Sequence, residues 1–422
     1  MILSAAVLLI AGCASLKPVE LPDEYSLAPA QAELWTQLAA LRSDDWLHLL
    51  NTGGEAFDWR LRLIDSATQS LDLQTFLWKD DASGLKVLRH IYEAADRGVR
   101  VRILLDDTFT ATHDEAIWDI DHHPNIEFRI YNPFATRTSS MVVRQLLNLG
   151  DFSRVDHRMH NKVMLVDNRA AIVGGRNLAD EYFGSHDVAN FRDMEVLTAG
   201  PAVLSLSRQF DDYWNSDWSF PVDRIITMEP TKSPEEFEAW VLATIERGLE
   251  ENTATRTQQW LATAVAAVAG EVMVLADDPA SENPDAPEEL PTQLSRVLID
   301  WMEGANEELI LVSAYLIPTP ELEQTIERAE DRGVRVRILT NSLRSNNHVA
   351  AHSAYRHHVR RLVDHGAELH EVRVFAKDRA LYMEEPIGDK HLGLHSKLLL
   401  IDNHLSYIVS ANLDPRSLLL NT

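Results

Sequence analysis

Apolar positions along the chain alternate between helical spacing and short continuous runs. From Ser83 to Arg97 the residues Leu85, Leu88, Ile91 and Ala95 recur at three- and four-residue intervals, which predicts an amphipathic helix. Gly98 follows where a C-terminal helix glycine belongs, and Val99 to Leu105 is a β-branched run that predicts a strand. Ile126 to Tyr131 predicts a shorter strand. The order returns late in the chain: a strand near Leu309 to Ala314, a helix from Glu321 to Arg332, then Gly333 and a strand from Val334 to Leu339. Such alternation implies an α/β fold with a mixed, mostly parallel sheet flanked by helices.

The recurrence is literal. Asp96 to Leu104 reappears letter for letter as Asp331 to Leu339, an offset of 331 − 96 = 235. His160-x-Lys162-x-x-x-x-Asp167 reappears as His395-x-Lys397-x-x-x-x-Asp402, and Asn177 as Asn412, at the same offset. Three features on one offset point to two homologous lobes. At 422 residues the chain also exceeds one ordinary core. The expected organisation is an N-terminal linker with helices (14–53), a first lobe (54–226), inter-lobe helices with an acidic Pro-rich linker (227–295), and a second lobe (296–422). Within the third part, Ala276 to Thr292 reads as a surface linker.

The chemistry lies in the repeated motif. Val163 to Val166 is a continuous apolar run, as in a strand buried on both faces. His160 and Lys162, two apart, leave one face of it. Asp167-Asn168-Arg169-Ala170 reads as a two-residue turn with Asn168 at positive φ, after which the strand returns through Ala171 to Val173. Pairing about that turn sets Asn177 opposite His160, roughly 5 Å away, and Gly175 opposite Lys162. In the second lobe it sets Asn412 opposite His395 and Ser410 opposite Lys397. The small residues leave room beside each ammonium group.

An imidazole, an ammonium and an amide on one face bind a phosphate: Lys supplies charge, Asn supplies donors, and His can attack or carry a proton. Pseudo-twofold packing of the lobes would place one phosphodiester between two histidines, as in-line displacement requires. Asp167 and Asp402 stand an odd number of residues from their histidines and read as turn and supporting groups. No HExxH or clustered carboxylate–histidine spacing occurs, so neither a metal nor a cofactor is expected. Trp46, Trp59, Trp78, Trp214 and Trp218 are assigned to core or lobe packing. Ser139 to Leu149 puts apolar residues on one helical face, suited to acyl chains at the site entrance or to packing on the neighbouring lobe.

Composition narrows the partners. A hydrophobic fraction of 45% with 25% charged residues marks a folded protein. The formal net charge of -26 argues against nucleic acid, whose phosphates call for a basic face. The single cysteine, Cys13, excludes an internal disulfide and a cysteine-rich metal site. It ends a short apolar run, and Leu9-Ile10-Ala11-Gly12-Cys13 resembles a bacterial lipobox, although no Lys or Arg precedes the run. Residues 1–13 are therefore read as a lipoprotein-type signal with an acylation cysteine. No later segment has about 18 uninterrupted apolar residues.

The motifs HNKVMLVD and HSKLLLID, each followed by Asn ten residues after the Asp, resemble those of the phospholipase D superfamily. The strings LDLQTFLWKDDASG, DFSRVDHRMHNK, GGRNLADEYFG and NLDPRSLLLNT are similar to its bacterial cardiolipin synthase C-like branch, from about Gly54 onward. The resemblance implies two phospholipase D-type lobes and a catalytic set of His160, Lys162, Asp167, His395, Lys397 and Asp402. It implies His160 as nucleophile, forming a phosphohistidine, and His395 as acid and base. Lys162, Lys397, Asn177 and Asn412 would hold the phosphate, and Glu195, in FRDMEV, would orient a histidine. The family continues past LLLNT with an acidic residue, so the chain is expected to be shortened at that end. The implied reaction moves a phosphatidyl group, from phosphatidylglycerol or phosphatidylethanolamine, to phosphatidylglycerol, giving cardiolipin. Hydrolysis to phosphatidic acid, a superfamily endonuclease and an inactive lipid-binding scaffold are the alternatives. The implied location is a bacterial membrane, lipid-anchored and facing the periplasm.

Overall fold

The computed structural model describes residues 16–110, 113–138, 140–148, 154–155, 157–226, 232–279 and 292–419, so Cys13 lies outside the described residues. Strands are numbered along the chain. The first lobe and its extension supply β1 (Trp46–Leu50), β2 (Ser70–Thr75), β3 (Arg100–Asp106), β4 (Ile126–Tyr131), β5 (Val163–Val166), β6 (Ala170–Gly174), β7 (Ala189–Arg192), β8 (Glu195–Ala199), β9 (Ser219–Pro221) and β10 (Val268–Ala269). The second supplies β11 (Glu308–Val312), β12 (Arg335–Asn341), β13 (Glu368–Val372), β14 (His391–Leu394), β15 (Leu398–Ile401) and β16 (Leu405–Ile408).

Both sheets are built on one plan. The order β6-β5-β2-β3-β4 within the larger sheet recurs as β16-β15-β11-β12-β13. Within these two sheets parallel pairing runs through β2-β3-β4 and β11-β12-β13, where helices such as Ala82–Asp96 and Pro320–Asp331 make the crossovers. The motif hairpins β5-β6 and β15-β16 are antiparallel, as is the attachment of each to its sheet. Asp81 caps the first crossover helix by accepting from the Gly84 N–H at 3.0 Å, and Gly98 ends it at φ 89°.

The hairpin turn differs from the sequence expectation. Val163 pairs with Val173 and Val166 with Ala170, so the loop is Asp167-Asn168-Arg169 and the register is shifted by one. Asp167 (φ 57°) and Asn168 (φ 52°) are both left-handed, and the Arg169 N–H closes on the Val166 carbonyl at 2.9 Å. Asp402 (φ 50°) and Asn403 (φ 56°) repeat this. A short polar side chain makes that conformation accessible to Asp as well as to Asn. Lys162 consequently sits beside Gly174 rather than Gly175, and Lys397 beside Val409 rather than Ser410.

The first sheet is packed on both faces. One face meets helices Gly53–Asp65 and Ala82–Asp96, the other helix Ala202–Trp214, which is why all four residues of β5 are buried. In the second lobe β15 alternates buried and half-buried positions, with its packed face against helices Gln293–Glu303 and Pro320–Asp331. The chain between the lobes belongs to the first core. Trp260, from helix Thr253–Ala266, is fully buried among Trp35, Trp46 and Trp59, and truncating it to alanine should cost about 3–5 kcal/mol. Of Ala276 to Thr292, residues 280–291 lie outside the described residues, while Asp277 is buried and accepts from the Leu294 N–H.

The lobes are sewn together by β7 and β14, which pair in parallel from Ala189↔His391 to Arg192↔Leu394. The His395 N–H extends this ladder to the Arg192 carbonyl at 2.8 Å. Among the described residues no helix is long and apolar enough to cross a membrane.

Candidate active site

Each histidine lies just before its hairpin, and the end of a neighbouring strand fixes its place. The Met159 N–H donates to Asp106, the last residue of β3, at 3.0 Å. One repeat later the Leu394 N–H donates to Asn341, the last residue of β12, at 2.8 Å. A buried oxygen thus anchors the residue preceding His160 and the residue preceding His395. Because β7 and β14 clamp the lobes at this point, the two motifs face each other across the junction.

His160, half-buried, gathers with the buried Lys162, His395 and Lys397 in one cluster. The Lys162 ammonium donates to the His160 carbonyl at 2.6 Å; that of Lys397 donates to the His395 carbonyl and lies 3.0 Å from Nε2 of the same ring. His160 packs edge-on against Phe76 (centroids 4.9 Å apart), and His395 against Tyr182 (5.0 Å). The backbone of Ser410, from the second lobe, bonds His160. Asn177 donates to the Tyr182 hydroxyl at 2.8 Å. The side-chain oxygens of Asn177 and Asn412, with Nδ1 of His160, are buried and have no protein partner. Three such polar atoms around two ammonium groups make a site that completes its bonding with a ligand.

Electrostatics say which ligand. Burial, then the charge of Lys162 and Lys397, holds the His160 imidazole well below the usual histidine range. His395 is pushed down to about 4 by burial and Lys397, against the opposing pull of Asp193. Lys397 falls to about 8 through burial, and burial with the Lys397 charge pulls Lys162 far down. These cationic groups destabilise one another, so the cluster favours an anion.

Asp193 is the acid that sequence reasoning missed. Its Oδ2 lies 2.6 Å from His395 Nδ1, across the lobe boundary. Burial raises its carboxyl, but the His395 and Lys397 charges outweigh burial and hold it far below the usual carboxylate range. Glu195, expected in this role, is instead enclosed by Arg60 (2.7 Å) and Arg176 (3.3 Å). The string FRDMEV offered both acids, and nothing local reveals that Arg60 takes one of them. The room expected beside Gly175 is filled too: a Cβ there would lie 2.4 Å from Oδ1 of Asp193.

Asp167 and Asp402 are not part of the cluster. At the far end of its strand, roughly 16 Å from Lys162 along the backbone, Asp167 accepts from the N–H groups of Thr68, Gln69 and Ser70 and from the Trp35 indole. Asp402 accepts from the N–H groups of Asn306, Glu307 and Glu308. Each carboxylate ties its hairpin turn to the start of the adjacent strand. They are structural clamps, which corrects their inclusion in the catalytic set.

Within Ser139 to Leu149 a short helix, Met141–Leu147, exposes Val143 and Leu146 rather than packing them on a lobe. Among the described residues Asp65, His90 and Glu93 bring possible metal ligands together. The Arg247 guanidinium already bonds Asp65 at 2.7 Å and Glu93 at 2.8 Å, and supplies the cation there.

The family described as "Cardiolipin synthase, PLD-like domain" matches residues 61–218 and 298–422. Cardiolipin synthase C of Escherichia coli (strain K12) is 34% identical over 374 residues, 87% of this chain and 78% of that protein. Cardiolipin synthase A of Yersinia pseudotuberculosis serotype O:1b is 26% identical over 381 residues, 89% of this chain and 64% of that protein. The solved structure of phosphatidylserine synthase from Haemophilus influenzae Rd KW20 superposes with a TM-score of 0.56, over 92% of this chain and 84% of that one. At 15% identity that likeness is one of fold.

Proposed function

The chain belongs to the cardiolipin synthase family of phospholipase D-like proteins, and on that premise we propose that it is a phosphatidyltransferase making cardiolipin from phosphatidylglycerol and a second phospholipid. The observation that carries this is the meeting of His160 and Lys162 with His395 and Lys397 at one anion-seeking site, each pair from a different lobe.

The two histidines are not equivalent. Burial, then the charges of Lys162 and Lys397, keep the His160 ring uncharged and its lone pair available, against the opposing pull of its bond to the Ser410 backbone. His395 alone bonds a carboxylate, which stabilises its protonated form. That asymmetry supports His160 as nucleophile and His395 as proton carrier. A His160 nitrogen bonds to phosphorus as the P–O bond to the donor headgroup breaks, and His395 gives its proton to the departing alkoxide. The glycerol hydroxyl of phosphatidylglycerol then gives its proton to His395 and attacks phosphorus, releasing His160. Lys162, Lys397, Asn177 and Asn412 hold the charged oxygens of both transition states.

The donor is phosphatidylglycerol or phosphatidylethanolamine, and a charge of -26 supports lipid over nucleic acid as substrate. Acylation at Cys13 would hold the enzyme on a bacterial membrane, facing the periplasm. The test is incubation of the full chain with phosphatidylglycerol vesicles, with and without phosphatidylethanolamine, and separately with DNA. Cardiolipin is the expected product, and His160→Ala should form none. Phosphatidic acid alone, cut DNA, or no product would overturn the proposal.

A further inference from the structure

A cavity of about 290 Å³ opens in the first lobe beside the phosphate-binding cluster. It lies where helices Ala82–Asp96, Asp114–Asp121 and Pro234–Thr244 approach the end of β3, and Leu88, Leu105, Ile117, Ile120 and Phe237 give it apolar walls. Its size is at the lower end of ordinary ligand pockets, roughly 300–1,000 Å³. Of the buried carboxylates in its wall, Asp106 accepts from the Met159 N–H, and Oδ2 of Asp119 lies 4.0 Å from the Lys232 ammonium.

Phe76 joins this cavity to the reacting groups. Its ring lines the cavity, packs on His160 and lies 5.2 Å from the Lys162 ammonium. Phe109, 45% exposed, stacks edge-on against Phe76 at 5.5 Å and forms the outer rim. A phosphorus held at His160 would therefore have an apolar recess one aromatic ring away.

The repeat shows that the fold does not demand this lining. The positions 235 residues after Leu88 and Leu105, within the matching helix and strand, are Glu323 and Thr340. Glu323 carries ion pairs to His358 and Arg361. Two lobes of one strand order thus differ at this point: apolar and hollow in the first, polar and ion-paired in the second.

We propose that the cavity takes one acyl chain of the phosphatidyl donor. The inference rests on the phosphatidyl-transfer reading, because the diacylglycerol half of the donor stays on phosphorus while phosphorus is bonded to His160. An apolar chain leaving that phosphate toward the first lobe passes Phe76 and reaches the recess.

The test uses the full chain on vesicles of phosphatidylglycerol bearing a photoactivatable diazirine at an acyl terminus. His160→Ala is included, so that binding is read without turnover. Label is expected on the peptides carrying Leu88, Ile117 and Phe237, and Ala116→Trp should reduce it about tenfold. Ala116 lines the cavity from an exposed position, so a bulkier side chain there narrows it from outside the core. The preference for dioleoyl over dibutanoyl phosphatidylglycerol in kcat/KM should fall by a similar factor. Label only elsewhere, or an unchanged chain preference in Ala116→Trp, would overturn the assignment. Label in the cavity without cardiolipin in the product assay would reject the transfer reading alone. Cardiolipin without label there would reject the cavity assignment alone.

Discussion

Oδ2 of Asp193 in the first lobe lies 2.6 Å from Nδ1 of His395 in the second, so each lobe completes the other's chemistry. Replacing Asp193 with Asn keeps the shape and removes the charge that stabilises protonated His395. The kcat should fall by about 10²–10³-fold, with KM little changed. The sign of the pH effect follows. Asp193 raises the proton affinity of His395, so its loss moves the alkaline limb of activity to lower pH. An unchanged limb would remove Asp193 from the mechanism.

Gly175 makes that contact possible. Its missing Cβ would meet both carboxylate oxygens of Asp193, at 2.4 and 2.8 Å. Gly175→Ala should mimic Asp193→Asn, and the double variant should be little worse than either single one. Additive losses in that cycle would mean that Gly175 acts on something else.

The hairpin clamps should matter for stability and not for chemistry. Asp167→Asn breaks charge-assisted bonds to Thr68, Gln69, Ser70 and Trp35 and should cost about 3 kcal/mol in urea unfolding, with the folded fraction still active. Asp402→Asn should cost less, since water screens that turn. The backbone N–H of Glu308, with those of Asn306 and Glu307, lowers the Asp402 carboxyl to about 2. Its stabilisation is therefore complete above the ordinary value of 3.8 and is lost as pH falls through about 2.

The buried His395 imidazole works in the same sense, over a higher pH range. The unfolded chain protonates His395 near 6.5, while the folded chain resists until about 4, because burial and Lys397 oppose the charge. Stability should decline as pH falls from 6.5 to 4 and flatten below, in thermal unfolding followed across that range. His395→Gln should flatten the decline, and a slope equal to that of the unaltered protein would refute the assignment. Inorganic phosphate, binding between the ammonium groups, should raise the Tm of the unaltered protein.

Much of this was legible in the chain itself. The literal repeat of Asp96 to Leu104, the duplicated His-x-Lys pairs and the apolar run Val163 to Val166 are local signals. They pointed to a repeated α/β plan and to two His–Lys pairs that the structure brings together, because side-chain direction in a strand depends only on position parity. The register missed by one, since Asp167 as well as Asn168 takes a left-handed conformation. The site tolerated that error because His160 and Asn177 lie outside the paired strands, held by Asp106 and Tyr182 through tertiary contacts. What the sequence could not decide was which acid serves which group. Asp193 and His395 are 202 residues apart, and Glu195 is withdrawn from the site by Arg60, 135 residues before it. Such pairings follow from where two lobes and a distant helix come to rest, and local pattern carries no record of that.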